Sequence, residues 1–311
     1  MIRLFPNRMI PGAGGAVVAL ASLLSVLATP LLAQDAPKRI VAAGGVVTEI
    51  VYALGRQDRL VGVDATSQFP SGALKAHPSI GYVRALSAEG ILSLNPDLIL
   101  AIEGAGPPDV LRLIGEARIA VRKVPEEHSE SGVLERIRVV GDAVGAQEAA
   151  AHLAQSVKDR FAQLAKARDA LGTTKRVLFV LSIQNGRVLV GGRNSSAAAI
   201  IALAGGINAA EGIEGFKPLS DEGLIAATPD VIVMMQRGDH AASPDDVFAL
   251  PAFKALPAAR TRALISMDGL YLLGFGPRTP DAAQDLMREI AKVPLHGQGK
   301  RAEAIDGKPR P

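Results

Sequence analysis

The 311-residue sequence contains no cysteine and no tryptophan, and aromatic residues make up only 4% of it. Without cysteine there is no disulfide framework, and no thiol to carry a lipid at a processed N-terminus. With so few aromatics the core must be aliphatic, and hydrophobic residues at 48% are enough to build a sizeable one. Ala, Val, Leu and Ile favour helices and buried parallel strands over an aromatic-rich β-sandwich. A charge excess is missing too: the formal net charge is +3, a near balance with no implied nucleic-acid surface. There is no Gly-x-Ser-x-Gly elbow, no His-Glu-x-x-His helix and no P-loop, so no enzyme signature is present. The five histidines, His77, His128, His152, His240 and His296, lack the spacing of a metal site.

What is present begins with a segment that stands apart. Arg3 and Arg8 precede an apolar run from Ala16 to Ala28, and Pro30 and Leu31-Leu32-Ala33 follow. That is the layout of a secretory signal, residues 1–33, cut near Ala33. Gly12, Gly14, Gly15 and Pro30 shorten the strongly apolar stretch below a membrane-spanning length. Its removal takes two cations from the net charge and leaves +1. The expectation is a soluble, monomeric periplasmic protein with no direct membrane insertion.

The remainder alternates strand and helix signals. Arg39-Ile40-Val41-Ala42-Ala43-Gly44-Gly45 predicts a buried strand entering a tight turn, with a helix from Thr48 to Leu54. Leu60–Val63 and Leu98–Ile102 predict further strands. The stretch from Leu86 to Leu100 recurs 133 residues later, from Leu219 to Val233, with Ser-x-Glu-Gly and Pro-Asp in one register. Between the two copies lies a proline-free segment, Gly132 to Leu171, with apolar residues three and four apart. It predicts a helix to about Gly141 and a second from Gln147 to Leu171, roughly 37 Å long. The expected fold class is α/β: two similar lobes, each a mainly parallel sheet flanked by helices, joined by one long rigid helix. The boundaries are 34–145, 146–172 and 173–311, and the ligand is expected in the cleft between lobes, beyond the carboxyl ends of the strands.

Four stretches narrow the reading: Gly44-Gly45-Val46-Val47-Thr48-Glu49-Ile50, Val63-Asp64-Ala65-Thr66-Ser67, Gly81-Tyr82-Val83-Arg84-Ala85-Leu86-Ser87-Ala88-Glu89-Gly90 and Met267-Asp268-Gly269-Leu270-Tyr271-Leu272-Leu273-Gly274-Phe275-Gly276-Pro277-Arg278. With them the chain resembles the helical-linker binding proteins that serve ABC importers of haem, cobalamin and ferric siderophores, and within them the haem-binding branch. The resemblance implies haem as transported ligand, an ABC permease and its ATPase as partners, and no catalysis. It implies Tyr82 as axial iron ligand and Arg84 as its hydrogen-bond partner. The chemistry fits: a phenolate is a hard oxygen donor for iron(III), and a guanidinium beside it favours its ionised form. Two residues apart on an extended loop, the two side chains can project to one side.

Other roles are spread more widely. Thr66 and Ser67 follow the second strand at the rim of the cleft. Arg193, Asn194 and Ser195 form a Gly-rich turn before a helix, where free backbone N–H groups can meet an anion. Arg193, Arg237 and Arg278 are candidates for the haem propionates, each weighed against a solvated surface charge. Tyr271 at a strand-to-loop junction can face the ligand or pack in the core. Glu89 and Glu222, matched by the repeat, sit where an acid favours a helix N-terminus; in the wider family such acids dock on permease arginines. Some family members place a second haem on a His just after the first strand of the second lobe. The corresponding residue here is Ile183, which points to one haem per chain. A receptor of this fold for a ferric siderophore or cobalamin, a haem chaperone without a permease, and a secreted enzyme remain as alternatives.

Overall fold

The computed structural model describes residues 36–236 and 243–294. The expected signal segment, Arg237, His240 and His296 lie outside the described residues. The first lobe holds β1 (Ile40–Ala43), β2 (Leu60–Val63), the short pair β3 (Gly81–Tyr82) and β4 (Ala85–Leu86), β5 (Leu98–Ile102) and β6 (Ala120–Val124). Its helices are α1 (Gly45–Ala53), α2 (Ala73–Ala76), α3 (Ala88–Leu92), α4 (Pro108–Glu116) and α5 (Glu130–Ala143). Four strands form a parallel sheet in the order β2-β1-β5-β6. Every residue of β1 and β5 is buried. Strands covered on both faces read as unbroken apolar runs, which is why both were legible. Chain order reverses between β1 and β5, so the crevice beyond their carboxyl ends is the natural binding edge of this sheet.

Helix α1 starts three residues earlier than Thr48 suggests. Its first amides are satisfied from the neighbouring loop: Gly44 N–H donates to Asp64 Oδ1 at 2.9 Å and Gly45 N–H to Thr66 Oγ1 at 2.8 Å. Gly44 has φ +133°, open to glycine and rarely to other residues. Thr48 is an interior helix residue whose hydroxyl meets Ser67 Oγ at 2.8 Å.

Helix α6 (Gln147–Asp169) connects the lobes, roughly 34 Å of α-helix. Ala150, Val157, Phe161 and Leu164 form its buried stripe, against α5 and the final helix. The second lobe contains β7 (Arg176–Gln184), β8 (Arg187–Gly191), β9 (Ile207–Asn208), β10 (Phe216–Leu219), β11 (Val231–Gln236) and β12 (Leu264–Asp268). Its helices are α7 (Ser196–Leu203), α8 (Asp221–Ala227), α9 (Pro244–Ala249), α10 (Pro251–Lys254), α11 (Pro257–Thr261), α12 (Gly269–Leu273) and α13 (Thr279–Lys292). The sheet order is β10-β8-β7-β11-β12, with β9 beside β7. Strand β8 runs against the rest because it returns from β7 through the two-residue turn Asn185-Gly186, both at positive φ, a favoured hairpin connection.

The repeat has a structural counterpart. Helices α3 and α8 are each preceded by a serine, Ser87 or Ser220, that accepts the N–H of a glycine three residues on. Each helix then leads into a central strand, β5 or β11. The lobes share one apolar cluster that runs from β1 through α6 to α13, while a second fills the outer part of the second lobe. Among the described residues no helix is long and apolar enough to cross a membrane.

Candidate functional site

Tyr82 sits on the β3–β4 hairpin, paired with Ala85. The hairpin is held from two sides: Ala65 N–H donates to Gly81 O at 2.8 Å, and Gly106 N–H to Val83 O at 2.9 Å. Those partners follow β2 and β5, so the tyrosine stands at the carboxyl-end edge of the parallel sheet. Val83 turns inward and is buried. Tyr82 turns outward and is 54% exposed, the most exposed large apolar side chain among the described residues. No hydrogen bond ties down its hydroxyl among those residues. An exposed phenol fixed at its backbone and free at its oxygen is suited to take a metal centre carried by a ligand.

The predicted Tyr82–Arg84 hydrogen bond is not made. Arg84 Nη2 meets the Glu126 carboxylate at 3.2 and 3.3 Å, and Nη1 donates to Glu103 O at 3.1 Å. The reason is local. Residues 83 and 84 are the two-residue turn between β3 and β4, not a continuing strand, so the i, i+2 alternation stops at Tyr82. Arg84 runs past Gly104, at φ +74°, where any Cβ would collide with its Nη1.

The hydroxyls of Thr66 and Ser67 are engaged within the β2 loop. Ser67 is fully buried, and its hydroxyl meets Thr48 Oγ1 at 2.8 Å and donates to Asp64 Oδ1 at 3.1 Å. Thr66 Oγ1 donates to Asp64 Oδ2 at 2.7 Å while accepting from Gly45 N–H. Asp64 is buried, and its carboxylate accepts four such bonds, closing the β2 loop onto the start of α1.

The second-lobe candidates are also largely engaged. Tyr271 lies in α12, not at a strand end, and its hydroxyl donates to Asp285 Oδ2 at 2.8 Å. Burial, followed by that carboxylate, pushes its pKa further above the ordinary tyrosine value, which disfavours a phenolate there. Arg278 is drawn to Glu49, donating from Nε at 3.0 Å and Nη2 at 2.8 Å, and its guanidinium lies 3.5 Å from the Phe69 ring centre. Both Tyr271 and Arg278 are therefore engaged within the fold in this state, Tyr271 by the part-exposed Asp285 and Arg278 by the buried Glu49. Arg193 and Asn194 are exposed just before α7; Arg193 reaches Glu214 at 3.5 Å. Ser195 caps α7 by accepting Ala198 N–H. Glu89 and Glu222 are exposed in the first turns of α3 and α8. The Glu222 backbone N–H and then the Ser220 hydroxyl hold its carboxyl below the usual range.

Four residues that matter were missed. Asp64, Glu49, Glu126 and Arg136 carry the polar framework around the hairpin and the lobe contact. Arg136 is fully buried and donates to four backbone carbonyls, those of Pro125, Glu127, Gly274 and Phe275. Burial lowers its pKa to about 10, so it stays cationic at neutral pH. One signal was available: Glu49 is the lone charge in the apolar run Gly45–Val51, and an isolated charge on a buried face implies a partner.

Two α/β lobes around one connecting helix, with an exposed donor at the strand ends, define the class of two-lobed solute-binding proteins. The chain belongs to the periplasmic binding protein family, whose pattern matches residues 40–270. Among solved structures it resembles the periplasmic heme-binding protein RhuT from Roseiflexus sp. RS-1, in apo form, with 39% identity and a TM-score of 0.79 over 82% of this chain and 98% of that one. It resembles the periplasmic heme-binding protein BhuT, in complex with two hemes, with 38% identity and a TM-score of 0.78 over the same shares. The vitamin B12-binding protein of Yersinia pseudotuberculosis serotype O:1b is 28% identical over 305 residues, 94% of this chain and 98% of the relative.

Proposed function

We propose that this protein captures haem in the periplasm and delivers it to an ABC-type importer, holding the iron through Tyr82 as tyrosinate. The observation that carries the reading is the exposed, unbonded Tyr82 hydroxyl on a hairpin anchored at the strand ends. Iron(III) favours a hard anionic oxygen, and cobalamin has no need of one. The higher identity to the two heme-binding structures than to the B12-binding relative supports the same choice.

The finer assignments belong to this proposal. Residues 1–33 are a signal segment removed on export. Residues 34–145 and 173–311 are the lobes, and 146–172 is their connector. Arg193, Asn194, Arg237 and Arg278 are the propionate candidates, with Arg278 available only by leaving Glu49. Glu89 and Glu222, one exposed acid per lobe, dock on the permease, and the protein performs no catalysis of its own. One haem binds per chain: Ile183 lies within β7, packed against the second-lobe core, and offers no donor for a second iron.

Titration of the purified protein with haemin, followed by absorbance, tests this. A shifted Soret band, a high-spin charge-transfer band and an end point at one equivalent are expected. No spectral change with haemin, together with tight binding of cobalamin or a ferric siderophore, overturns it.

A further inference from the structure

Three loops meet beside Tyr82. The hairpin turn supplies Arg84, the end of β5 supplies Glu103, and the segment after β6 supplies Glu126. Arg84 is bound to both of the others, while the Glu126 backbone N–H donates separately to the Glu103 carboxylate at 3.0 Å. Glu126 is thus held in place by its main chain, and its carboxylate has Arg84 as its one hydrogen-bond partner among the described residues. Both side chains are partly exposed, 44% for Arg84 and 34% for Glu126, so the pair lies where an incoming anion can compete for the guanidinium.

We infer that Glu126 is a positioning residue that holds Arg84 away from Tyr82 until an anionic ligand arrives. This rests on the reading of Tyr82 as the ligand-binding donor. Binding exchanges one anionic partner of Arg84 for another: the guanidinium leaves the Glu126 carboxylate for the phenolate or for a carboxylate of the ligand. Gly104 leaves the room for the parked arginine, since any side chain there would meet its Nη1. The other charges facing this cluster are Glu103 from the end of β5, Glu127 and His128 from the segment after β6, and Arg136 from α5. Glu126→Gln removes the competitor and keeps the shape and the main-chain anchor.

Haemin titration of the native protein, Glu126→Gln, Arg84→Ala and the double variant tests the inference. Glu126→Gln is expected to bind haemin about two- to fivefold tighter, the scale of a partly exposed ion pair. The gain is expected to vanish when Arg84 is also Ala. The tyrosinate charge-transfer band of the haemin complex is expected to shift in Glu126→Gln and not in the double variant, because a cation freed beside the phenolate draws on its charge. Unchanged affinity and band position, or a gain that persists without Arg84, overturns the role of Glu126 and leaves Tyr82 as the donor. A native protein that gives no haemin spectrum overturns both.

Discussion

Glu49 of the first helix and Arg278 before the last helix form a two-pronged hydrogen bond across 229 residues of sequence, at 3.0 and 2.8 Å. Glu49 is only 4% exposed, and Arg278 is covered on one face by Phe69. Beside it, Arg136 of α5 donates to the carbonyls of Gly274 and Phe275. These contacts tie the lobes together independently of α6. Removing one member of a buried pair strands the other charge. Arg278→Ala is therefore expected to lower unfolding stability by about 3 kcal/mol in denaturant titration, at the low end for such pairs because the arginine keeps some solvent contact. Arg278→Met combined with Glu49→Gln is expected to lose clearly less. Equal losses in the two would show that packing, not charge, holds this contact.

Tyr82 gives the opposite expectation. Its ring is more than half exposed and its hydroxyl has no partner among the described residues. Tyr82→Phe is expected to change stability by no more than about 0.5 kcal/mol. The same variant is expected to lose the tyrosinate charge-transfer band with haemin and most of the affinity. A fully retained haemin spectrum would assign the iron to another residue.

Gly104→Ala addresses the room left for Arg84. The glycine has φ +74°, and an added Cβ would displace the arginine tip rather than rigid backbone. Stability is expected to fall by about 1 kcal/mol from the backbone conformation. The contact between Arg84 and Glu126 is expected to break, so that adding Glu126→Gln to Gly104→Ala changes haemin affinity no further.

The sequence was most informative where burial repeats itself. Continuous apolar runs located β1, β2 and β5, and the internal repeat located α3, α8 and β11. The same repeat put Glu89 and Glu222 on exposed helix starts. Local chemistry at turns was less well read. The Asn185-Gly186 hairpin that extends β7 and reverses β8 has an evident dipeptide signal, whereas the turn at Val83-Arg84 has none. That second turn decides where Arg84 points. Long-range polar pairing was not legible at all. Nothing near Arg278 names Glu49 as its partner, and nothing near Ser67 says that Asp64 and Thr48 will consume its hydroxyl. Hence the hydroxyls of Thr66 and Ser67, proposed from position alone, are already engaged by Asp64, Thr48 and Gly45.

Acid is expected to weaken the native state in part through His128. Its ring packs edge-on to Phe275 at 5.0 Å between ring centres, at the lobe contact. Burial, then the nearby Arg136 charge, lowers its pKa below the ordinary 6.5, with Glu126 opposing. The unfolded chain therefore takes up this proton more readily than the folded one. The stability associated with neutral His128 is complete above about pH 6.5 and is lost as pH falls below it toward the depressed folded value. Urea midpoints measured from pH 7 to 5 are expected to fall for the native protein and to fall less for His128→Gln. Identical slopes would place the acid sensitivity elsewhere, with His77, also lowered by burial and in contact with the Tyr52 hydroxyl at 3.0 Å, as the next residue to replace.

The two repeat-matched acids separate binding from delivery. Glu89 and Glu222 are exposed on α3 and α8, and among the described residues neither hydrogen-bonds or ion-pairs with Tyr82 or Arg84. Each lies exposed in a first turn, where a carboxylate is favoured by the helix dipole, so reversing its charge carries only a small local cost. Glu89→Lys with Glu222→Lys is therefore expected to fold and to bind haemin with unchanged affinity and spectrum. Uptake through the cognate permease in vesicles is expected to fall at least about tenfold, because a charge pair that becomes like-charged on docking is penalised at both ends of the contact. Each single reversal is expected to fall between the native protein and the double variant. If the double variant delivers haem as well as the native chain, these acids are helix-start residues only, and the permease recognises another surface.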